Sequence, residues 1–550
     1  MEFQHYELPY PVNPQYSSKA AYFCMEFAIH QSLKIYSGGL GFLAGSHLRS
    51  AYEAQQNFIG IGILWKYGYY DQERDQDQNM KPAWVEKQYN FLEDTGIKYQ
   101  ITIGNAPVWV KAWYLKPETF KSAPLFLLST DLPENDYLSQ SICHRLYDSN
   151  METKIAQFIL LGIGGAKLLD LMHYQPDVYH LNEAHGISAA FYVLSQQKDL
   201  SFVKNHFVFT THTPEEAGNE VHDLNLCQRL GYFNGLSLEE VREATGITGE
   251  RFNHSLAALR LSRKANGVSA LHGEVSRTMW ANYDNICPII SITNAQNRNY
   301  WADKDLYEYL EISNDILFDE RKLELKAKAF EFIANQTGKI FDPNILTIVW
   351  ARRFAAYKRP DLLSYDFERF ERLITDTKKP IQIIWAGKPY PSDFGAVNQF
   401  NKLVDLSKKY KNIAVVTGYE LDISRTLKQA ADVWLNNPRV PREASGTSGM
   451  TATMNGALNF STDDGWIPEF IVPDENGFVV PKADYHKLNI SEQDIHDLYN
   501  VYEILEDKII PTYYSNRTKW RKMQQRAMKE VVQQFDSKRM VKEYYEQLYS

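Results

Sequence analysis

Six times along this chain a short run of apolar and β-branched residues stops abruptly at polar or small residues. Val178–Leu181 runs into Asn182, Glu183 and His185; Phe207–Phe209 runs into TTHTPEEAG; Leu346–Trp350 runs into ARRFAAYKR. Ile381–Trp385, Ile413–Val416 and Ala431–Leu435 run into AGKPYP, TGYE and NNPRVPREASGTSGM. Helical patterns follow them. Strands that are apolar throughout are buried on both faces, which is the habit of parallel sheets covered by helices. The expected fold class is therefore α/β. In such sheets ligands bind beyond the carboxyl ends of the strands, so the chemistry is expected in the loops that end these runs.

A chain of 550 residues has room for about two to four domains. A change of pattern near residue 300 suggests an N-terminal α/β domain over 1–298 and a second α/β domain over 299–515, with terminal helices over 516–550 that pack back across the boundary. Early in the second domain, 306–337 reads as a long charged helical region, while 42–53 and 451–458 read as helices that follow glycine-rich loops. The charge balance, 59 − 68 = −9, makes the chain a poor nucleic-acid binder by bulk electrostatics. The longest apolar stretch, 155–172, is broken by Gln157, Lys167 and Asp170, so no membrane span is expected. The first residues lack a signal-peptide pattern. Four cysteines without a CxxC spacing exclude a disulfide scaffold and a zinc site of that type. Together these features describe a cytoplasmic protein. The 35 tyrosines suit either a large aromatic core or sugar-binding surfaces.

Four pieces carry candidate chemistry. Gly38, Gly39 and Gly41 lead into a helix, an arrangement that offers backbone N–H groups to a phosphate, or serves only as a tight turn. In ARRFAAYKR, Arg352, Arg353, Lys358 and Arg359 follow a strand, where an Arg fork and a Lys point charge can hold phosphate oxygens. In EASGTSGM, Glu443 suits sugar hydroxyls, and Gly446, Thr447, Ser448 and Gly449 offer amides and hydroxyls; Thr447 or Ser448 is equally an ordinary helix cap. His180, His185 and His212 stand at strand ends; their spacing fits no zinc motif, so no metal is expected. Asp463, Asp464 and Glu469 are the paired carboxylates a glycoside hydrolase would need, but adjacent aspartates ordinarily solvate a turn.

Taken in order, YFCMEFAIH, YSGGLGFLAG, HLNEAHG, TTHTPEEAG, ITNAQN, WARRFAAYKR and EASGTSGM resemble the motifs of the glycogen/starch phosphorylase family of α-glucan phosphorylases, in its short bacterial branch. The likeness runs from about Tyr22 to about residue 480. It implies a GT-B architecture, two Rossmann-like domains facing a deep cleft. It also implies reversible phosphorolysis of terminal α-1,4-linked glucose in glycogen or maltodextrin, giving glucose 1-phosphate with retention. By the same resemblance Arg353 and Lys358 match the phosphate-binding pair, and His212 matches the histidine beside the reacting glucose. Asn294, Glu443, Ser445 and Gly446 match groups on glucose hydroxyls, and His185 lies in an active-site loop. Gly38, Gly39 and Gly41 match the glycine loop aimed at phosphates, Thr447, Ser448 and Gly449 the phosphate cradle, and Tyr357 and Tyr419 the tyrosines near cofactor and phosphate. A homodimer is implied too, while the short N-terminal region argues against the allosteric control of the long animal enzymes.

One position departs from the family's pattern. After Met450 the family carries a lysine that forms an imine with pyridoxal phosphate; here the residue is Thr451, and no lysine lies between Lys428 and Lys482. Threonine has no amine, so covalent attachment there is excluded. In this family the cofactor's phosphate, not its aldehyde, takes part in catalysis, which makes the lysine an anchor. Non-covalent pyridoxal phosphate, or a nucleotide diphosphate in its place, is compatible with the remaining groups. Three readings follow: an α-glucan phosphorylase, a retaining glucosyltransferase using ADP-glucose or UDP-glucose, and a non-catalytic glucan-binding relative.

Overall fold

The computed structural model describes residues 3–550. It contains two compact units, the first made of the residues up to Tyr70, Trp84–Asn294 and Ser537–Ser550, the second of Asp71–Ala83 and Ala295–Asp536. Nothing in the sequence marked the short antiparallel ribbon Asp71–Arg74/Met80–Ala83 as part of the second unit. Its attachment there is polar: Met80 N–H donates to Asn401 Oδ1 at 3.0 Å, and Arg74 donates to the Val415 carbonyl.

The first unit is built on a nine-stranded sheet. Its strands are β1 (Ala20–Phe23), β2 (Phe58–Ile63), β3 (Glu93–Ile103), β4 (Ala106–Leu115), β5 (Leu125–Ser129), β6 (Val178–Asn182), β7 (Phe207–Thr210), β8 (Lys264–Gly267) and β9 (Ile289–Ser291). They lie in the order β9-β8-β7-β6-β1-β2-β5-β4-β3, parallel from β9 to β5, with β4 and β3 added antiparallel. The alternation of β3, half exposed along its length, marks it as the solvated edge, whereas β1, β2, β6 and β7 are buried at every position. The chain's last residues complete this unit's core. Gln56 Nε2 donates to the Val541 carbonyl at 3.1 Å, and His180 Nδ1 meets Tyr549 OH at 2.7 Å. His180 Nε2 bonds to Thr210 Oγ1, which donates to Asn266 Oδ1. Burial holds the His180 pKa well below the histidine norm. This strand-end histidine is therefore a neutral core group with both ring nitrogens committed.

The second unit carries a six-stranded sheet of β10 (Leu346–Ala351), β11 (Ile381–Ala386), β12 (Ile413–Val416), β13 (Val433–Asn436), β14 (Leu458–Thr462) and β15 (Gly477–Val480). The order β12-β11-β10-β13-β14-β15 is parallel throughout. This is the doubly wound order 3-2-1-4-5-6, whose switch point lies between the first and fourth strands, here β10 and β13. The α/β expectation holds in both units. Among the described residues no helix is long and apolar enough to cross a membrane.

The charged helical region 306–337 holds two helices, Lys304–Glu311 and Asp315–Thr337, separated where Ser313 takes φ +54 and the Asn314 side chain caps the second by accepting Leu317 N–H. Two helix boundaries differ from the sequence expectation. The helix expected from Phe42 starts at Gly39. The helix expected at 451–458 is Thr447–Thr453, and Leu458 instead opens β14. Neither Thr447 nor Ser448 caps it; Gly446 stands at the cap with φ +87, a conformation that glycine adopts freely.

Candidate functional site

In the second unit the loops after β10 and β13 leave the sheet on either side of its switch point. The first delivers Arg352, Arg353 and Lys358; the second delivers Glu443, Ser445 and the Gly446–Gly449 turn. Glu443 is the hub. Arg352 Nη1 donates to Glu443 Oε2 at 3.2 Å, Lys358 Nζ donates to both carboxylate oxygens at 3.1 and 3.3 Å, and Arg352 Nη2 donates to Ser448 Oγ at 3.2 Å. Burial alone would raise the Glu443 pKa; the charges of Lys358 and Arg352, the Lys358 hydrogen bond and the Arg353 charge together hold it below the usual carboxylate value.

Beneath that loop Asp464 accepts the Glu443 and Gly465 N–H groups, both at 2.8 Å. Burial, with the Glu443 charge adding to it, pushes the Asp464 pKa up to about 8. Arg352 and Lys358 thus contact one ionised carboxylate, and the positive charge in excess of it suits an anion. Glycine is required at two places here: a Cβ on Gly449 would lie 2.4 Å from Asn459 Oδ1, and one on Gly465 would lie 2.3 Å from the Ser445 carbonyl.

The cations of the basic run play unequal parts. Arg352 is buried on Glu443, while Arg353 is exposed and acts on Glu443 through its charge. Arg359 is a strut: fully buried, it is paired with Asp494 and Asp497 and donates to the Asn437 and Pro438 carbonyls. Tyr357 lies beside Lys358, whose Nζ is 5.2 Å from the ring centre. Tyr419 OH accepts from Ser424 Oγ at 3.1 Å; burial pushes its pKa up to about 12, against the pull of that bond and the Arg352 charge. Thr451 is buried in its helix, and its hydroxyl donates to the Ser448 carbonyl at 3.0 Å.

In the first unit the carboxyl ends of β1, β6, β7 and β9 release Glu26, Glu183, His212 and Asn294 respectively. Glu26, absent from the sequence expectations, organises the glycine loop. Its carboxylate accepts Ser37 N–H at 2.7 Å, Gly38 N–H at 3.1 Å, Ser37 Oγ at 3.0 Å and Tyr147 OH at 2.7 Å. The amides of Ser37 and Gly38 are thereby engaged, so what the loop presents to a ligand begins at Gly39. A Cβ on Gly41 would stand 2.7 Å from Glu26 Oε2, whereas Gly38 and Gly39 have nothing within 4 Å of that position. The chain's own packing leaves space at those two glycines for a close approach to the backbone.

His212 Nε2 bonds to Asn182 Oδ1 at 2.7 Å, so Nε2 carries the proton and Nδ1 the free lone pair. Burial lowers its pKa to about 3 and that of His185 to about 4. Glu183 accepts the His212 N–H and, at 3.3 Å, the Thr213 hydroxyl. Burial raises its pKa to about 7 against those bonds. Its backbone, at φ +67 and ψ 164, is a conformation that costs a non-glycine residue about 1–3 kcal/mol. Three sequence candidates hold buried polar atoms without a partner in the fold: His185 Nδ1, Asn294 Oδ1 and Ser445 Oγ. Orphans also occur elsewhere, as at Ser122 Oγ; these three gain meaning from standing on carboxyl-edge loops, where a ligand would satisfy them.

The fold and these loops define an α/β protein with a cationic, hydroxyl-rich site on one sheet edge and neutral histidines on the other. The family model for carbohydrate phosphorylase matches residues 290–472. A protein of uncharacterized function from Methanocaldococcus jannaschii is 44% identical over 96% of this chain and 99% of its own length. The maltodextrin phosphorylase of Thermococcus litoralis is 34% identical, with all of this chain and 73% of the relative aligned. The glycogen phosphorylase of Mycobacterium tuberculosis is 30% identical over 96% of this chain and 70% of its own. The chain belongs to the carbohydrate phosphorylase family.

Proposed function

We propose that this chain is an α-glucan phosphorylase, moving the terminal α-1,4-linked glucose of glycogen or maltodextrin onto phosphate. The observation that carries the reading is the Glu443 hub, an ionised carboxylate clamped by Arg352 and Lys358 with positive charge to spare at a sheet's switch point. The names of the relatives support it. The reading includes a GT-B arrangement, two Rossmann-like domains facing a deep cleft, with a cytoplasmic location and a homodimer.

Phosphate is held by Arg352, Arg353 and Lys358. One of its oxygens bonds to C1 from the face that the glycosidic oxygen leaves; the C1–O bond breaks, and the departing oxygen takes a proton from the phosphate. Glu443, Ser445, Gly446, Asn294 and His185 orient the glucose through its hydroxyls, fixing the reacting geometry before the bond breaks. His212, neutral and with a bare Nδ1, accepts a sugar hydroxyl without adding positive charge beside an oxocarbenium-like ring.

Family membership suggests pyridoxal phosphate as cofactor. The donor set fits its phosphate group: guanidinium, ammonium and the Thr447 and Ser448 hydroxyls lie on neighbouring loops, with Tyr357 and Tyr419 as aromatic neighbours. Thr451 offers its aldehyde nothing. When bound, the cofactor supplies a second phosphate able to hold a proton beside the substrate phosphate.

The test is glucose 1-phosphate formation from maltodextrin and phosphate, with and without added pyridoxal phosphate. No product under either condition sinks the reading. Phosphate-independent glucosyl transfer from ADP-glucose or UDP-glucose replaces it with the glycosyltransferase alternative, and turnover of either donor removes the non-catalytic one.

A further inference from the structure

A chain of three buried hydrogen bonds ends on the His212 ring. Parallel pairing of β1 with β6 sets Phe23 against Leu181, so the next residues, Cys24 and Asn182, stand side by side at the carboxyl edge. Pairing of β6 with β7 sets Asn182 against Thr210, two residues before His212. Cys24 is fully buried and Asn182 is 1% exposed. The Cys24 thiol donates to the Glu26 carbonyl at 3.2 Å, Asn182 Nδ2 donates to Cys24 Sγ at 3.3 Å, and Asn182 Oδ1 accepts from His212 Nε2 at 2.7 Å.

The two ends of a side-chain amide have the same shape and opposite hydrogen-bonding character. His212 alone does not select between them, because a neutral imidazole nitrogen either donates or accepts. The choice falls to Cys24. A carbonyl only accepts, so the contact with Glu26 takes the thiol proton and leaves the sulfur as an acceptor, which the NH2 end of Asn182 satisfies. The oxygen end is left for His212, whose Nε2 must then carry the proton. Burial pushes the Cys24 thiol up to about 12, so the S–H is present throughout the neutral range. With the amide turned over, Asn182 Oδ1 would face a sulfur whose proton is already given to Glu26.

Resting on the phosphorylase reading, in which His212 meets the sugar, we propose that Asn182 is a positioning residue whose sense Cys24 sets, fixing His212 as the Nε2–H tautomer with Nδ1 open to a sugar O–H. Neither residue touches the substrate. Together they give this point of the site a direction: the hydroxyl that meets the ring is the donor.

The experiment reads the tautomer on the full chain without ligand. Protein labelled with 15N at histidine is examined near pH 7 by NMR that correlates ring nitrogens with ring protons, and the His212 signals are those that vanish in His212→Asn. The expected result is a protonated Nε2 and a bare Nδ1. Cys24→Ala, which can neither donate nor accept there, should populate the Nδ1–H tautomer and lower kcat about tenfold. Cys24→Ser, which can do both, should recover the parent signals and most of the lost rate. Cys24→Val repeats the first substitution without opening a cavity, and unfolding temperatures tell a changed tautomer from a damaged fold. An imidazolium or an Nδ1–H ring in the parent, an unaltered tautomer in both Cys24→Ala and Cys24→Val, or a shifted tautomer with kcat unchanged each overturns the inference. Because the spectra need no turnover, the two claims separate. The expected signals in a protein that makes no glucose 1-phosphate uphold the positioning and defeat the phosphorylase reading, and product from a chain whose parent tautomer is Nδ1–H does the reverse.

Discussion

The two carboxyl edges handle burial of titratable groups in opposite ways. On the second unit's edge, Glu443 stays ionised because Arg352 and Lys358 touch it. On the first unit's edge, burial drives His185 and His212 to neutrality and pushes Glu183 up to about 7. A buried group keeps its charge only when an opposite charge lies within a few ångströms. One edge is thus suited to an anion, the other to a polyhydroxylated ligand near which a fixed positive charge would be unhelpful. Under the proposed function, phosphate goes to the first of these edges and sugar to the second.

The largest break in this comparison should come from Glu443→Ala, which leaves Arg352 and Lys358 without their shared carboxylate. We expect kcat/KM for phosphorolysis to fall by about 10³, or ~4 kcal/mol, in initial-rate assays. Lys358→Met should lower kcat/KM by about 10², chiefly through the phosphate KM; an equal rise in the maltodextrin KM would contradict the assignment of anion to one edge. His212→Asn should cost about tenfold in kcat with the phosphate KM unchanged. Because the His212 imidazole titrates near 3, the variant's pH–rate profile between pH 5 and 8 should keep the parent's shape, and an inflection lost with the imidazole would refute its neutrality.

The smallest effect is in pH. As pH rises through about 8, Asp464 ionises beneath Glu443, and the phosphate KM should climb a few-fold. Its raised folded pKa also means that its contribution to stability is complete below about 3.9 and is lost as pH rises to about 8. An unfolding temperature that increases across that window would count against a protonated Asp464.

Much of the site was readable along the chain because parallel strands announce themselves as unbroken apolar runs. The residues just after them are forced to the ligand edge. Leu346–Ala351 and Val433–Asn436 are such strands, and Lys358 and Glu443 lie in the loops that follow them. Adjacent residues were harder. Arg352 and Arg353 read alike, yet one is buried on Glu443 and the other exposed, because neighbouring side chains diverge and only packing says which way is inward. Arg359 looked like a ligand cation and is a strut, since its partners Asp494 and Asp497 lie more than a hundred residues away in sequence. Glu26 sits in a legible position after β1, but its role depends on the loop folding back onto its carboxylate. The absence of an amine at 451 was plain in the sequence.

By itself the sequence determined the α/β class, the strand ends on which chemistry stands, and the family, because these depend on local pattern and on motifs in fixed order. Tertiary structure alone decided which cation grips Glu443, which histidine is core, and which ionisable groups lose their charge. Those outcomes are set by burial and by charges brought together from distant segments, quantities that no stretch of chain carries in isolation.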